Sequence, residues 1–525
     1  MTTLVPRKPY TDEELRQLYP AGLELQLVQV LMRHGERTPV SPRFQHAGLH
    51  PFWPYCSAVK QFRAAVLEDD MDPGVAGVGV GGGNASTKPM GTLAWKRQLE
   101  TFAKHDDTAV LAKGKRGELD ALCDMGMLTD PGRATTLRLG QRLRQLYVER
   151  LHFLPAELTA DDDVGRLFYL RATPIPRALE SMQQAFTGLY PNRDHSGRAP
   201  ITIVSRAPAD ETLFPNDGNC RRFAALSRAF AQRAAERWND SEELRYATKK
   251  LGKWMDPDAP RVAVDGRPRL SGVMDTINAT LAHGPETRLP AEFYDERVRR
   301  NIDKVALEEW FAGYHESLEY RTLGIGGLMG DLTARMVAQA ETAGTSGQNG
   351  LFRFGLSGCH DTTLAAVLTS LGHIMPAWPP FTSHLAVELF KKPVSDASPT
   401  APPSLSALPS APSSSGWSAY LPSFLSSSKP AAQPTGIGRK PTPDLTETEK
   451  HKMAGYYVRL RYNDEVVTVP GCRAAGKHLD GDESFCTLEA FKAIVDKYTP
   501  KNWKQECRSN LSKPAFPAKL EPSGY

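Results

Sequence analysis

The sequence predicts an α/β protein. Three segments carry this expectation, because each reads as a strand that runs into a turn and then a helix. In the first, Leu23-Glu24-Leu25-Gln26-Leu27-Val28-Gln29-Val30 alternates apolar and polar residues, as a half-buried strand does. In the second, Arg166-Leu167-Phe168-Tyr169-Leu170 precedes two prolines, after which Ile175, Leu179, Met182, Phe186 and Leu189 recur at helical spacing. Proline suits a helix start, where its missing N–H would have had no partner. In the third, Leu351-Phe352-Arg353-Phe354-Gly355-Leu356 reads as a buried strand, and Leu364, Val367, Leu368 and Leu371 form one helix face that ends at Gly372.

The residues at these junctions carry chemistry. The first strand ends in Arg33-His34-Gly35-Glu36-Arg37-Thr38-Pro39. A histidine between two arginines suits a phosphate dianion, because the planar guanidinium fork matches phosphate oxygens in pairs. The imidazole between them is a candidate nucleophile toward phosphorus. Arg171 stands at the end of the second strand, and His360 and Asp361 stand at the end of the third. Ligands of open α/β sheets bind beyond the carboxyl ends of the strands. If the three strands are neighbours, Arg33, His34, Arg171, His360 and Asp361 face one pocket.

These motifs resemble the histidine acid phosphatases, branch 2 of the histidine phosphatase (phosphoglycerate-mutase-like) superfamily. Arg-His-Gly-Glu-Arg-Thr-Pro is similar to that family's signature, and Cys359-His360-Asp361-Thr362-Thr363 to its second signature. Leu128-Thr129-Asp130-Pro131-Gly132 resembles its Leu-Thr-x-x-Gly helix start, and Cys486-Thr487-Leu488-Glu489-Ala490-Phe491 its C-terminal element. The segment from Arg171 to Ser181, with Gly188-Leu189-Tyr190-Pro191, is nearest the lysophosphatidic-acid-phosphatase-like subgroup. The resemblance spans residues 23–495, apart from insertions. It implies a phosphoglycerate-mutase-like three-layer sandwich with an inserted, mostly helical cap. It also implies His34 as the nucleophile that forms a phosphohistidine. Arg33, Arg37 and Arg171 would hold the phosphate, His360 would donate a hydrogen bond, and Asp361 would protonate the leaving oxygen. Phosphoryl transfer asks mainly for positioning and charge stabilisation, which such a set supplies.

The organisation follows from composition. Residues 20–195 form the first part of the core, with a glycine-rich loop near 72–92 that includes Gly81-Gly82-Gly83. Residues 196–330 are rich in Arg, Ala, Glu and Leu and read as the helical cap. Residues 331–392 and 451–500 complete the core. Between them, 393–450 is rich in Ser, Pro and Ala and reads as a disordered insertion that separates two strands of one hairpin. Within it, Trp417, Tyr420, Leu421, Phe424 and Leu425 share a helical stripe that Pro422 interrupts. Residues 416–427 are therefore a candidate weak docking segment for a membrane or a protein.

Charge and cysteine usage narrow the function. With 64 Lys and Arg against 60 Asp and Glu, the net charge of +4 does not suggest a nucleic-acid partner. No run reaches the roughly 18 apolar residues of a membrane span. The first ten residues have no apolar leader core, which points to an intracellular, cytoplasmic protein. Seven scattered cysteines do not read as a disulfide scaffold, and Cys472 would pair with Cys486 only in an oxidising compartment. Asp161-Asp162-Asp163 reads as a solvated turn, and no stretch has metal-ligand spacing. Arg177 reads as a structural residue one helical turn beyond Arg171, and Glu36 as an orienting group. The function expected is a cofactor-free, metal-independent acid phosphatase acting on small phosphate esters. A phosphoglycerate-mutase-type phosphoryl transferase and a non-catalytic scaffold are the alternatives.

Overall fold

A computed structural model describes residues 4–67, 90–159, 164–191, 200–342, 352–393 and 436–525. Its strands, in chain order, are β1 (Glu24–Arg33), β2 (Phe62–Leu67), β3 (Met90–Trp95), β4 (Glu100–Phe102), β5 (Ala109–Leu111), β6 (Phe168–Ala172) and β7 (Ile203–Val204), followed by β8 (Phe354–Cys359), β9 (His384–Lys391), β10 (Tyr456–Tyr462), β11 (Glu465–Val467), β12 (His478–Leu479) and β13 (Asp482–Thr487). The central sheet runs β12-β13-β10-β9-β1-β8-β6-β7, and β11 pairs with β10. The pairs β2–β3 and β4–β5 are separate hairpins.

The three junction strands are neighbours. β1 pairs in parallel with β8, and β8 with β6, so Arg33 lies opposite Cys359 and Ala172 opposite Gly358. Their carboxyl ends therefore open on one side of the sheet. β9 flanks β1 in the antiparallel sense. Alternation along β1 feeds two cores. Val28, Val30 and Met32 pack on one face with Leu139, Leu143, Met182 and Phe186 of helices Asp130–Arg144 and Pro176–Leu189. Leu27 and Leu31 pack on the other face with residues of helices Gly327–Thr342, Asp361–Ser370 and Leu488–Asp496, and this core continues into the cap. The result is the expected helix–sheet–helix sandwich.

Two of these helices start where the sequence placed them. Thr129 caps Asp130–Arg144 by accepting from the Gly132 N–H, and Pro131 sits in the first turn. Pro176 opens Pro176–Leu189. Gly132 has a second role. A Cβ there would strike the Glu36 backbone, and a Cβ at Gly35 would strike Gly132, so the signature turn and this helix start touch at backbone distance.

Within the expected cap lie helices Arg221–Trp238, Glu242–Leu251, Leu270–Leu281 and Glu296–Glu316. The cap's expected limits of 196–330 need correction. Ile203–Val204 adds an edge strand to the sheet, and Gly327–Thr342 covers a sheet face, with Leu328, Leu332 and Met336 buried there. The C-terminal segment braces the cap, as Arg222 donates to the carbonyls of Lys513 and Pro514.

The hairpin across the insertion forms as expected, with Lys391 opposite Tyr456 and Leu385 opposite Tyr462. The insertion's far boundary differs. Residues 436–450 are structured, because Ile437 and Leu445 are buried and Thr442 bonds to Asp496. A reciprocal Thr446/Glu449 cap starts the helix Glu447–His451. The docking segment 416–427 lies outside the described residues, as does the glycine-rich loop except for 90–92, which open β3.

The cysteine reading also needs correction. Cys56–Cys123, Cys220–Cys507 and Cys472–Cys486 are disulfides, and only Cys359 is free. Separations of 67 and 287 residues hide the first two pairs from any reading of spacing. Among the described residues no helix is long and apolar enough to cross a membrane.

Candidate active site

β1 delivers Arg33 and His34 to the sheet edge, where neighbouring strands fix the backbone. The Arg33 N–H donates to the Ser383 carbonyl at 2.8 Å, and the His34 N–H to the Cys359 carbonyl at 3.1 Å. The Gly35 N–H donates to Ser181 Oγ at 3.0 Å. His34 is 1% exposed. Its Nδ1 lies 2.9 Å from the Gly35 carbonyl. A carbonyl only accepts, so Nδ1 carries the proton and Nε2 keeps a free lone pair.

The electrostatics keep this imidazole neutral. Burial lowers its pKa well below the ordinary value, and Arg177, Arg37 and Arg33 lower it further. His360 faces His34 edge-on, with ring centroids 5.5 Å apart, and its Nε2 lies 3.1 Å from Thr173 Oγ1. Burial, and next Arg177, lower its pKa as well.

Two arginines are held from behind. Arg33 donates from NH1 to the Pro379 carbonyl at 2.5 Å, pairs through NH2 with Asp361 Oδ2 at 2.7 Å, and lies over the Phe381 ring. Arg37 donates from NH1 to the Thr38 carbonyl at 3.0 Å and pairs with Asp275 Oδ1 at 2.8 Å. In each, Nε is buried without a partner. Such orphaned charged donors are costly unless a ligand meets them. Asp361 also accepts from the Trp378 indole at 2.8 Å. Burial raises its pKa, but Arg33, Trp378 and Arg37 outweigh burial and leave the carboxyl ionised.

Arg171 is placed elsewhere than the motif suggests. It lies opposite Ser357, two residues short of the Cys359 level. Its NH2 is taken by Glu211 at 2.5 Å and Thr212 Oγ1 at 3.2 Å. The charges bearing on it are Glu211, Arg206 and Asp331 rather than the His34 cluster. Arg177 comes to the cluster in its stead. It lies in the first turn of Pro176–Leu189, pairs with no carboxylate among the described residues, and its Nε is buried without a partner. It is the charge that bears most on both His34 and His360, and burial lowers its own pKa to about 10. The proline-marked helix start was the signal for it, since a first-turn residue sits beside the strand end it follows.

The exchange of arginines has a measurable consequence. A hydrogen bond to a charged group contributes about 1.5–3 kcal/mol. Arg177→Ala should therefore lose roughly ten- to a hundredfold in kcat/KM, with weaker inhibition by inorganic phosphate. Arg171→Ala leaves the buried Glu211 with its Thr212 and Leu213 N–H donors but without its paired charge, so it should lower the melting temperature more than it weakens phosphate inhibition. The opposite pattern would return Arg171 to the phosphate site.

Three other residues complete the surroundings. Glu36 is buried and accepts from Thr135 Oγ1. His384 is buried within reach of Arg7 and Asp464. Asp275, which the sequence did not reveal, arrives from cap helix Leu270–Leu281. Among the described residues no group of three or more His, Cys, Asp or Glu is arranged to hold a metal ion.

An imidazole with a lone pair at Nε2, guanidiniums with unmet donors and a carboxylate beside a second histidine are groups that suit phosphoryl transfer. The chain belongs to the histidine phosphatase superfamily, branch 2, whose family model matches residues 24–403. Among curated proteins it is 34% identical over 492 residues to a Schizosaccharomyces pombe protein described as a probable acid phosphatase, covering 93% of this chain and 95% of that one. It is 24% identical over 372 residues to human lysophosphatidic acid phosphatase type 6, covering 70% and 74%. Among solved structures it superimposes on a Hafnia alvei phytase in complex with tartrate, with a TM-score of 0.50 at 12% identity, covering 93% of this chain and 99% of that one. The protein is thus a phosphatase of this family, with the family's fold.

Proposed function

We propose that the chain is an acid phosphatase that hydrolyses phosphate monoesters through a phosphohistidine on His34, without a metal ion. The observation that carries this reading is the free Nε2 of His34 beside the unpartnered Nε groups of Arg33, Arg37 and Arg177. The phosphate dianion sits on the three arginines, which supply the positive charge that stabilises the transferring group. His34 Nε2 attacks phosphorus as the ester oxygen departs. His360 donates to the transferring phosphoryl group. Asp361 gives its proton to the leaving oxygen, then accepts one from the water that attacks phosphohistidine. The neutral state of His34 supports nucleophilic attack even in acid, because its pKa lies well below the ordinary value.

The pH dependence follows from Asp361. In the free enzyme it is ionised, held down chiefly by Arg33. Bound phosphate brings negative charge and engages Arg33, which raises the carboxyl's pKa and favours its proton. Lower pH fills this site, so turnover should be best in acid and fall as pH rises. Asp361→Asn should cost alkyl phosphates far more than p-nitrophenyl phosphate, whose phenolate departs with little protonation. Equal losses on both substrates would show that Asp361 shapes the site without delivering the proton.

Two observations support an amphiphilic substrate. Some relatives are named lysophosphatidic acid phosphatases. In addition, a cavity of about 370 Å³, walled by Phe223, Trp310, Phe311, Tyr314 and Tyr320 together with the charged Asp217, Arg228, Arg269 and Glu309, reaches Thr362 beside Asp361. Trp378, which donates to Asp361, touches two of its rings, Trp310 and Phe311. An apolar group leaving with the alcohol fits such walls. The three disulfides favour an oxidising compartment over the cytoplasm expected from the sequence.

A further inference from the structure

We infer that Asp275, on the cap, is a positioning residue that orients Arg37 for phosphate. This rests on the reading of Arg37 as a phosphate ligand. The guanidinium of Arg37 is gripped at a single nitrogen, since NH1 meets both the Thr38 carbonyl and Asp275 Oδ1. Gripping one corner of a planar fork sets the direction of the others, and here Nε is left unpartnered. The carboxylate is itself tied down. Its Oδ2 accepts from the Val40 N–H at 3.1 Å and from Arg43 NH1 at 3.3 Å. Asp275 thus joins three points of the loop that follows His34, and the helix bearing it belongs to the cap.

The cap helix has a second attachment close by. His283 Nε2 lies 2.8 Å from Thr129 Oγ1, the residue that caps the helix touching the signature turn. The helix that carries Asp275 is therefore held at its middle against the catalytic loop and, through His283 just past its end, against that loop's support. Its carboxylate also lies within the field of Arg33 and Arg177. Without it, Arg37 keeps only the Thr38 carbonyl among these two restraints and samples other rotamers. The phosphate then has to order the side chain on binding, which weakens a contact that matters most in the transition state.

A double-mutant cycle tests the inference, using the full-length protein with p-nitrophenyl phosphate as substrate and inorganic phosphate as inhibitor. Asp275→Asn keeps an oxygen acceptor for the Val40 N–H but removes the charge that grips Arg37. It should lose about tenfold in kcat/KM, and Asp275→Glu should recover part of that loss. In the Arg37→Ala background the same substitution should change kcat/KM and the phosphate inhibition constant by less than about twofold, because the group it orients is gone. Equal losses in both backgrounds would overturn the inference and assign Asp275 to cap docking alone. If Arg37→Ala itself leaves both constants unchanged in an active enzyme, Arg37 is no phosphate ligand and the inference falls with it. A wild-type protein that hydrolyses no phosphate monoester would instead strike the proposed function.

Discussion

His34→Ala should abolish turnover, lowering kcat by at least about 10⁴-fold, because removing a nucleophile leaves only binding and electrostatic stabilisation. The fold should survive. His34 is held mainly through backbone bonds, its N–H to Cys359 and its carbonyl to the Thr382 N–H, and alanine keeps both. Circular dichroism and thermal melting check the fold, and p-nitrophenyl phosphate hydrolysis checks the chemistry. Arg33, Arg37 and Arg177 remain in the variant, so inorganic phosphate should still bind to it. Residual turnover within about a hundredfold of wild type would point to direct attack by water.

The largest effect on stability should come from Glu388, far down the sheet from the chemistry. Its carboxylate is fully buried between Arg459 and Arg461 and accepts from the hydroxyls of Tyr19 and Tyr147. Glu388→Gln leaves two guanidiniums buried against a neutral amide. Breaking a buried pair in this way typically costs about 3–5 kcal/mol. Burial raises the Glu388 pKa, but Arg461 and Arg459 outweigh it and hold the group at about 2. A depressed carboxyl contributes stability that is present above its unfolded value of about 4.3 and is lost as pH falls toward the folded value. The network therefore stays intact in mild acid, where the enzyme is expected to work, and weakens only between about pH 4.3 and 2. Chemical denaturation of Glu388→Gln at pH 6 measures the loss, and a change below about 1 kcal/mol would contradict it.

What the sequence revealed follows from what sequence can encode. Arg33, His34 and Arg37 are contiguous, and His360 and Asp361 adjoin. Their residue types at strand ends announce a phosphate site. The hydrophobic patterns likewise placed β1, β6 and β8 and the helices that follow them. The pairing of β9 with β10 was legible because two strand patterns flank a segment too polar to fold between them. Arg177 was visible but read as a structural residue. Arg171 lies within β6 and Arg177 in the first turn of the helix after it, and only the three-dimensional start of that helix brings the Arg177 charge to His34. Glu211, which takes NH2 of Arg171, lies forty residues downstream on irregular chain. Asp275 lies 238 residues from Arg37, and no local pattern marks such a contact. Cys56–Cys123, Cys220–Cys507 and the Glu388 network were hidden for the same reason, since each depends on register and crossing between distant segments. Residues 436–450 read as insertion because their composition is polar and proline-bearing. Buried Ile437 and Leu445, with the bond from Thr442 to Asp496, anchor them.

The central claim is that phosphate passes through His34 on its way to water. Rapid acid-free quenching of the enzyme during turnover of ³²P-labelled substrate tests it most directly. The protein should carry label in an acid-labile, base-stable linkage, mapping to the peptide that contains His34 and absent from His34→Ala. Wild-type enzyme that turns over at full rate while carrying no such label would contradict the account.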